Sequence, residues 1–337
     1  MKKNFCIIGA GWYGLHLAIE LKKRYNVTIF EKRKNIFLGS SGFNQFRAHE
    51  GFHYPRSSKT IKEIKKNSIK FRKQYGFGIK FFKKNIYAIA KEKSLIDFDS
   101  YITLIKQHRL NHKIVKNIEY LKNVEGTIDT NEGVILNDKI EKYFIKNLKK
   151  NIVFNSNIKL NKKLKDNFDY ILDCTNNELS FNDSIKHYFI LTISVVYKKI
   201  NKSNIFPTTI MDGELPSLYP YAGKKNLWTL THSKYTHIKK FKFKSELEKY
   251  KNQINKKKII EIKNNMEKSL KNYYSNFSKD FKFTNFYFSQ KCLPKNKSSE
   301  RLIYFKKKDK VISYFSPKIQ NIFSAEAHLK ALLKNEK

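Results

Sequence analysis

The residues best placed to do chemistry lie in the first sixty positions. Gly9-Ala10-Gly11-Trp12-Tyr13-Gly14 fits G-x-G-x-x-G, and Glu31 follows it at the end of a second apolar run. Gly9 lets the chain turn tightly out of a strand, Gly11 lets the backbone approach a pyrophosphate, and Gly14 lets a helix pack close to a sheet. Phosphates would rest on the free N–H groups at the helix N-terminus, and the Glu31 carboxylate would accept the ribose hydroxyls of an adenosine. Lys32 to Thr60, KRKNIFLGSSGFNQFRAHEGFHYPRSSKT, then gathers Ser40, Ser41, Asn44, Arg47, His49, His53, Tyr54 and Arg56. A stretch this polar is poorly explained as a connector. His49 and His53 stand four apart, the spacing of a helical metal pair, but Gly51 lies between them and no third ligand follows at a recognisable spacing, so no metal is expected.

Those residues need a frame, and the apolar periodicity supplies it. Asn4 to Ile8 reads as a strand, the run to Arg24 as an amphipathic helix and Val27 to Phe30 as a second strand. Ser57 to Tyr75 has helical period, and Phe77 to Ala90 changes to aromatic and β-branched runs that read as strands. A helix is expected over Ile140–Lys149, a strand over Ile152–Phe154 and a buried strand over Phe168–Cys174 that ends in the turn Thr175-Asn176. Tyr188–Tyr197, Thr208–Gly213, Ser217–Tyr221 and Trp228–His232 read as strands of an antiparallel sheet, from which Tyr219, Tyr221 and His232 could reach a pocket. Ser245–Phe277 reads as one long helix with a Ser245/Glu248 capping box. Lys310–Phe315 is a strand, and Ser316 with Pro317 gives the start signal of a last helix.

The fingerprint at residues 4–31, together with Gly39-Ser40-Ser41, Asn44 and His49-Glu50-Gly51-Phe52-His53-Tyr54, resembles the D-amino-acid-oxidase (DAO) superfamily of FAD-dependent oxidoreductases, especially its glycine-oxidase-like and hydroxyglutarate-oxidising branches. Residues 125–135, 168–176 and 311–323 extend the resemblance. It implies an α/β chain: a Rossmann-like FAD-binding domain of the glutathione-reductase type (residues 1–76, 125–182 and 295–337) and an antiparallel-sheet α+β substrate domain (77–124 and 183–294). It implies FAD as cofactor, held by Gly9, Gly11, Trp12, Tyr13, Gly14, Glu31, Lys32, Ser40, Ser41, Asn44, Thr175 and Lys318. His49, Gly51, His53 and Tyr54 would lie near the flavin ring. In such enzymes a glycine turn aims a helix N-terminus at the flavin pyrimidine; here Pro317 stands in that turn and Lys318 offers a cation instead. Asn176 replaces the glycine of the Ala-Thr-Gly turn, Asn being the non-glycine residue best suited to left-handed backbone.

The activity implied is hydride transfer from a C–H beside an amine or hydroxyl of a small substrate, an amino acid, hydroxy acid or amino sugar, to flavin N5. His49, His53, Tyr54 and Arg56 are the catalytic candidates, with His49 or His53 as base for an alcohol. Arg47, Arg301 and Tyr219 are the substrate-binding candidates, and Arg47, Arg56 and Arg301 could each meet a carboxylate. The acceptor of the electrons, whether oxygen, quinone or a carrier protein, is left open, as is covalent flavin attachment through a histidine.

Composition sets the alternatives. The 337 residues carry a formal charge of +40, yet only seven of the 69 basic residues are Arg. The Lys/Asn/Ile bias is what a very AT-rich coding sequence produces, and specific nucleic-acid sites favour Arg. A basic nucleic-acid-binding protein on a nucleotide fold and a non-redox flavoenzyme such as a sugar-nucleotide mutase stand as the rival readings; a membrane-surface role for the lysine-rich helix is the minor one. Cys6, Cys174 and Cys292 have no metal spacing, and Cys6 and Cys174 read as small core residues in a reducing compartment. The N-terminal apolar run is broken by the glycine turn, so no signal peptide is expected, and Tyr188–Tyr197 is too short to span a bilayer. A cytoplasmic protein is expected.

Overall fold

A computed structural model of the chain describes residues 2–179, 186–295 and 300–335. The first sheet has six strands among the described residues, in the order Tyr304–Lys308, Val311–Phe315, Tyr170–Asp173, Asn4–Ile8 (β1), Asn26–Phe30 (β2), Ile152–Val153. All its pairings are parallel except the outermost hairpin, Tyr304–Lys308 on Val311–Phe315. Helix α1 (Trp12–Leu21) crosses from β1 to β2 and buries Leu15, Leu17, Ala18 and Leu21 against the sheet. This is the layered arrangement that the N-terminal pattern predicts.

Among the described residues a nine-stranded sheet makes the second layer. It is antiparallel apart from Thr208–Met211, which runs parallel to Ile86–Ala90. The period-2 alternation of its strands sorts the residues onto two faces. Ile193, Val195, Tyr197, Leu218 and Leu230 pack with Ile259, Ile262, Met266 and Leu270 of the helix Lys256–Lys271. Thr192, Ser194, Ser217 and Thr231, their neighbours in sequence, face the other way and floor a cavity with hydroxyls. A three-stranded sheet of Arg47–Ala48 (β3), Gly133–Ile135 and Ile79–Lys80 joins the two layers.

Several expectations need correction. Val124–Thr130 pairs with Ile86–Ala90 in the large sheet, so the chain returns to the nucleotide layer after Thr130 and not at 125. The boundary at 182/183 lies outside the described residues. The long helix is two, Lys244–Gln253 and Lys256–Lys271, because Ile254 is extended and Asn255 caps the second by accepting the Lys258 N–H at 2.8 Å. The reciprocal cap is made by Glu246, which accepts the Phe243 N–H, and not by Ser245 and Glu248. Ser316 and Pro317 do not open the last helix. Ser316 Oγ instead takes the Lys318 N–H and the Asn321 side-chain amide, which fixes a turn, and the helix is Ile322–Lys334. Asn176 is left-handed at φ 61°, as the turn requires, and Asn177 follows at 68°.

Helix α1 passes tightly over the end of β1 at Gly14, where a Cβ would sit 2.0 Å from the Gly9 carbonyl oxygen and 3.1 Å from Ile7. Neither group is a flexible side-chain end that can yield. Gly14→Ala is therefore expected to destabilise the protein by about 3 kcal/mol or more, read as a lower urea midpoint.

Candidate active site

Two cavities of about 490 Å3 and 130 Å3 share Gly11, Ser40, Ser41, Cys174, Asn176 and Gln290 as walls, and so form one elongated cleft. The smaller end is lined by Gly9, Glu31, Lys32 and Thr175; the larger contains His49, His53, Tyr54 and Lys318. Gly9 sits at φ 103°, with a hypothetical Cβ 2.9 Å from the Cys174 carbonyl oxygen, so only glycine closes this turn. Gly11 caps α1 without a side-chain acceptor, which leaves the helix N-terminus open to phosphate oxygens. Ser41 Oγ already accepts the Trp12 N–H there at 3.1 Å. Glu31 accepts the N–H groups of Ala10 and Arg33 at 2.8 and 3.0 Å, one on each carboxylate oxygen. Each oxygen keeps a second lone pair for a ribose hydroxyl. The cradle thus fits the adenosine and pyrophosphate of FAD.

Other candidates serve the cleft indirectly. Asn44 donates to the carbonyls of Ser40 and Ser41 and accepts from the Phe46 N–H, so it shapes the loop. Ser40 Oγ ties that loop to the Gln290 carbonyl on the long strand Phe281–Pro294. Thr175 closes its turn on Asp173, and Lys32 pairs with Glu178 at 2.5 Å. Trp12 contributes its backbone: its ring is buried among Phe37, Phe71, Tyr75 and Phe144. Tyr13 donates to the Lys318 carbonyl at 2.8 Å, which fastens the turn after Phe315 to α1.

At the wide end His49, His53 and Tyr54 stand ring to ring, with centroids 5.4 to 5.7 Å apart. Gly51, at φ 119° with Ile61 directly against it, makes the turn that brings the two histidines together. Nδ1 of both histidines and the Tyr54 hydroxyl have no hydrogen-bond partner. Burial, then the cations Lys318 and Arg47, pushes His49 down to about 3; burial, with Arg47, His49, Lys318 and Lys291 adding to it, puts His53 well below the usual imidazole range. Both rings are neutral at pH 7. Burial and Arg47 bring Lys318 down to about 7, and its Nζ lies 4.5 Å from the centre of the Tyr54 ring.

Two of the three arginines have other occupations. Arg47 is buried and donates to Tyr87, lies 3.5 Å from Glu132 and 4.2 Å from the Tyr219 ring centre. Tyr219 is fully buried behind it, donates to Asn85 and is not among the described cavity walls, which corrects its placement as a substrate contact. Arg56 is half exposed and held by Asp212 at 2.8 Å. Arg301 lines the cavity and is pushed down by burial. Two residues were missed from sequence. Lys291 lines the same wall, lowered to about 8 by burial and by Arg301. Glu132 lies completely buried behind His49. One is a lysine among dozens and the other an acid in a loop, and neither carries a local signal. No cluster of His, Cys, Asp and Glu able to hold a metal occurs among the described residues, and no described helix is long and apolar enough to cross a membrane.

Comparison with known proteins agrees with this geometry. A family model described as FAD dependent oxidoreductase (DAO) matches residues 4–139. The FAD-dependent monooxygenase FPY4 of Fusarium mangiferae is 26% identical across 98% of this chain and 91% of its own length. The FAD-dependent monooxygenase kojA of Aspergillus flavus is 40% identical over 90 residues, 21% of that protein. Among solved structures, L-α-glycerophosphate oxidase of Mycoplasma pneumoniae superposes with a TM-score of 0.69 at 14% identity, covering 96% of this chain and 92% of that one. Glycine oxidase of Geobacillus kaustophilus does so at 0.68 and 10%, covering 95% and 91%.

The depressed histidines set a pH dependence. Their pKa values are lower folded than unfolded, so between about pH 6.5 and 3 the unfolded chain binds more protons and stability falls as the pH drops. For His49 the loss at pH 5 is on the order of 2 kcal/mol. Urea midpoints are expected to fall between pH 7.5 and 5, and to fall less in H49N/H53N. The slope that remains would come from the other histidines that burial lowers: His232 and His237, to about 4 and 3, and also His108 and His328.

Proposed function

We propose that the chain, which matches the FAD dependent oxidoreductase (DAO) family model over residues 4–139, is an enzyme of that family and oxidises a small anionic substrate at a carbon bearing a hydroxyl or amino group. The observation that carries this reading is the wall of the wide cavity. Two neutral imidazoles and an unpartnered tyrosine hydroxyl share the cavity lining with Lys318, Lys291 and a set of hydroxyls, and among the described residues neither lysine has a carboxylate partner.

FAD, when bound, supplies the acceptor for the hydride that leaves the substrate carbon. The chain positions that carbon and manages the proton. For a hydroxyl donor, a ring nitrogen of His49 or His53 takes the O–H proton; because both rings are neutral, that acceptor is present throughout the physiological range. A neutral amine already has its lone pair free and needs the histidines for orientation alone. Lys291, with Arg301 beside it, holds the acidic group of the substrate, and the hydroxyls of Thr192, Ser194 and Ser217 receive its polar edge. Lys318 belongs to the turn that Tyr13 fastens to α1 and is proposed to face the cofactor. Arg47 is left out of the substrate contacts because Glu132 and Tyr87 already use it. Dioxygen is proposed as the electron acceptor, in keeping with the oxidases and monooxygenases that the chain resembles.

The test is anaerobic mixing of the purified FAD-loaded protein with glycolate, lactate, malate, 2-hydroxyglutarate, glycerol 3-phosphate, glycine and alanine, following the visible flavin absorbance. At least one acid should bleach it without added reductant. H49Q/H53Q should slow the hydroxy-acid reaction roughly 100-fold or more while FAD stays bound, and K291M should raise the half-saturating acid concentration. If none bleaches the flavin but a reduced nicotinamide does, and oxygen then enters the product, the oxygen-inserting chemistry named for FPY4 replaces this reading. If nothing reduces the flavin except a chemical reductant, the non-redox alternative replaces it.

A further inference from the structure

Among the described residues Glu132 is the buried carboxylate that lies against His49, and it does not line the cavity. Its side chain is 0% exposed, against 13% for His49 and 5% for Arg47. Oε1 accepts the Glu50 N–H at 2.7 Å, and Oε2 accepts the Tyr87 hydroxyl at 2.6 Å. From Oε2 the distances are 3.5 Å to Arg47 Nη2 and 3.7 Å to His49 Nδ1. Burial alone would raise its pKa, but His49, Arg47 and Tyr87 outweigh that and hold it below the usual glutamate range, so it is ionised. The carboxylate is therefore fixed from three sides, and its fourth side points at an imidazole nitrogen with no hydrogen-bond partner. At 3.7 Å the contact is just longer than a hydrogen bond.

Building on the reading above, in which a histidine takes the hydroxyl proton, we propose that Glu132 is the positioning residue of His49. It keeps the ring in the tautomer with the proton on Nδ1, turned to the carboxylate, and so leaves the Nε2 lone pair for the substrate. In the step itself the substrate O–H would break, an Nε2–H bond would form, and the former O–H electron pair would become the C=O π bond, with FAD, when bound, supplying the acceptor for the hydride. The imidazole then carries a positive charge. Of the charged groups that face it, Arg47 and Lys318 oppose that charge and Glu132 favours it, while His53 and Tyr54 stand beside it and Lys291 acts on His53. Arg47 restrains Glu132 from the other side, so the carboxylate is held at one distance from the ring instead of collapsing onto it. A sequence gives no hint of this pairing, since the two residues are brought together by the contact of β3 with Gly133–Ile135.

Two measurements on the FAD-loaded protein test it. Long-range 15N–1H correlation spectra of histidine-labelled protein report each ring's tautomer without any turnover, and the H49Q spectrum identifies the His49 signals. His49 should carry its proton on Nδ1, and in E132Q that preference should be lost. The second is anaerobic flavin reduction by whichever hydroxy acid proves fastest. E132Q should slow it at least 10-fold in the wild-type background and less than 2-fold in H49Q, because its effect passes through His49. The acid limb of the rate should also move to lower pH in E132Q, as removal of the negative charge makes His49 a weaker base; a purely structural loss would leave that limb in place. If E132Q does not fold with FAD, R47Q/E132Q removes both buried charges together and is compared with R47Q/E132Q/H49Q. A proton on Nε2 in the wild type, a tautomer indifferent to E132Q, or equal costs in both backgrounds overturns the proposal. Failure of every acid to bleach the flavin would instead strike the oxidative reading and leave the tautomer measurement to decide the role of Glu132.

Discussion

The pair of Arg47 and Glu132 is the constraint on which the site rests. Each ion taken out of water costs several kcal/mol after relaxation, and the attraction repays it only when geometry and further hydrogen bonds are good. Here they are: Tyr87 bridges the two, Glu50 donates its backbone N–H to Glu132, and the guanidinium lies over the Tyr219 ring. Asn85 extends the network, donating to the Glu132 carbonyl while accepting from Tyr219. These residues come from β3, from the bend before Gly133 and from two strands of the large sheet. The pair thus pins the histidine-bearing loop to the floor of the cavity, and loss of one partner would leave a buried charge uncompensated. This also explains why an arginine beside two histidines is not available as a carboxylate clamp.

The loop ahead of it is held in another way. Phe37 and Phe46 both occupy left-handed backbone, at φ 58° and 54°, which for bulky residues costs on the order of 1–3 kcal/mol each. They bracket the Ser40–Asn44 segment. The compensation is visible: Phe37 is buried against Trp12 and its N–H donates to the Ala10 carbonyl, while Phe46 donates to Asn44 and accepts the Ile135 N–H at 2.6 Å. Two fixed corners keep Ser41 at the mouth of α1 and Ser40 against Gln290, so the loop that walls the cleft is shaped before any ligand arrives.

What could be read from sequence was the part whose physics is local. Glycines at a strand end, an acid at the next strand end and a left-handed Asn at 176 each carry a conformational demand within a few residues, and each is met. The strands of the large sheet were legible by alternation, as was the helix beginning at Ser57, whose hydroxyl accepts the Thr60 N–H. Errors arose where two local signals competed. Asn255 interrupts a helical period by offering a better cap, and Ser316 spends its hydroxyl on a turn although Pro317 suits a helix start. The arginines were read by scarcity, which says nothing about whether a partner is already in place. Glu132 and Lys291 needed contacts between strands far apart in sequence, and no spacing rule reaches them.

At the site the choice of Lys over Arg has chemical content. An arginine would remain charged whatever surrounds it. Lys318 and Lys291, lowered to about 7 and 8, sit where a modest change of environment decides their charge. In the proposed reaction an arriving anion would raise both, so binding and proton uptake become linked. The same anion would offset the positive field of Lys318 that, after burial, does most to depress His49. The imidazole would then be a weak base in the empty cavity and a stronger one once the acid is seated, with the Glu132 carboxylate unchanged behind it. Basicity in this site follows from which charges are fixed by the fold and which arrive with the substrate.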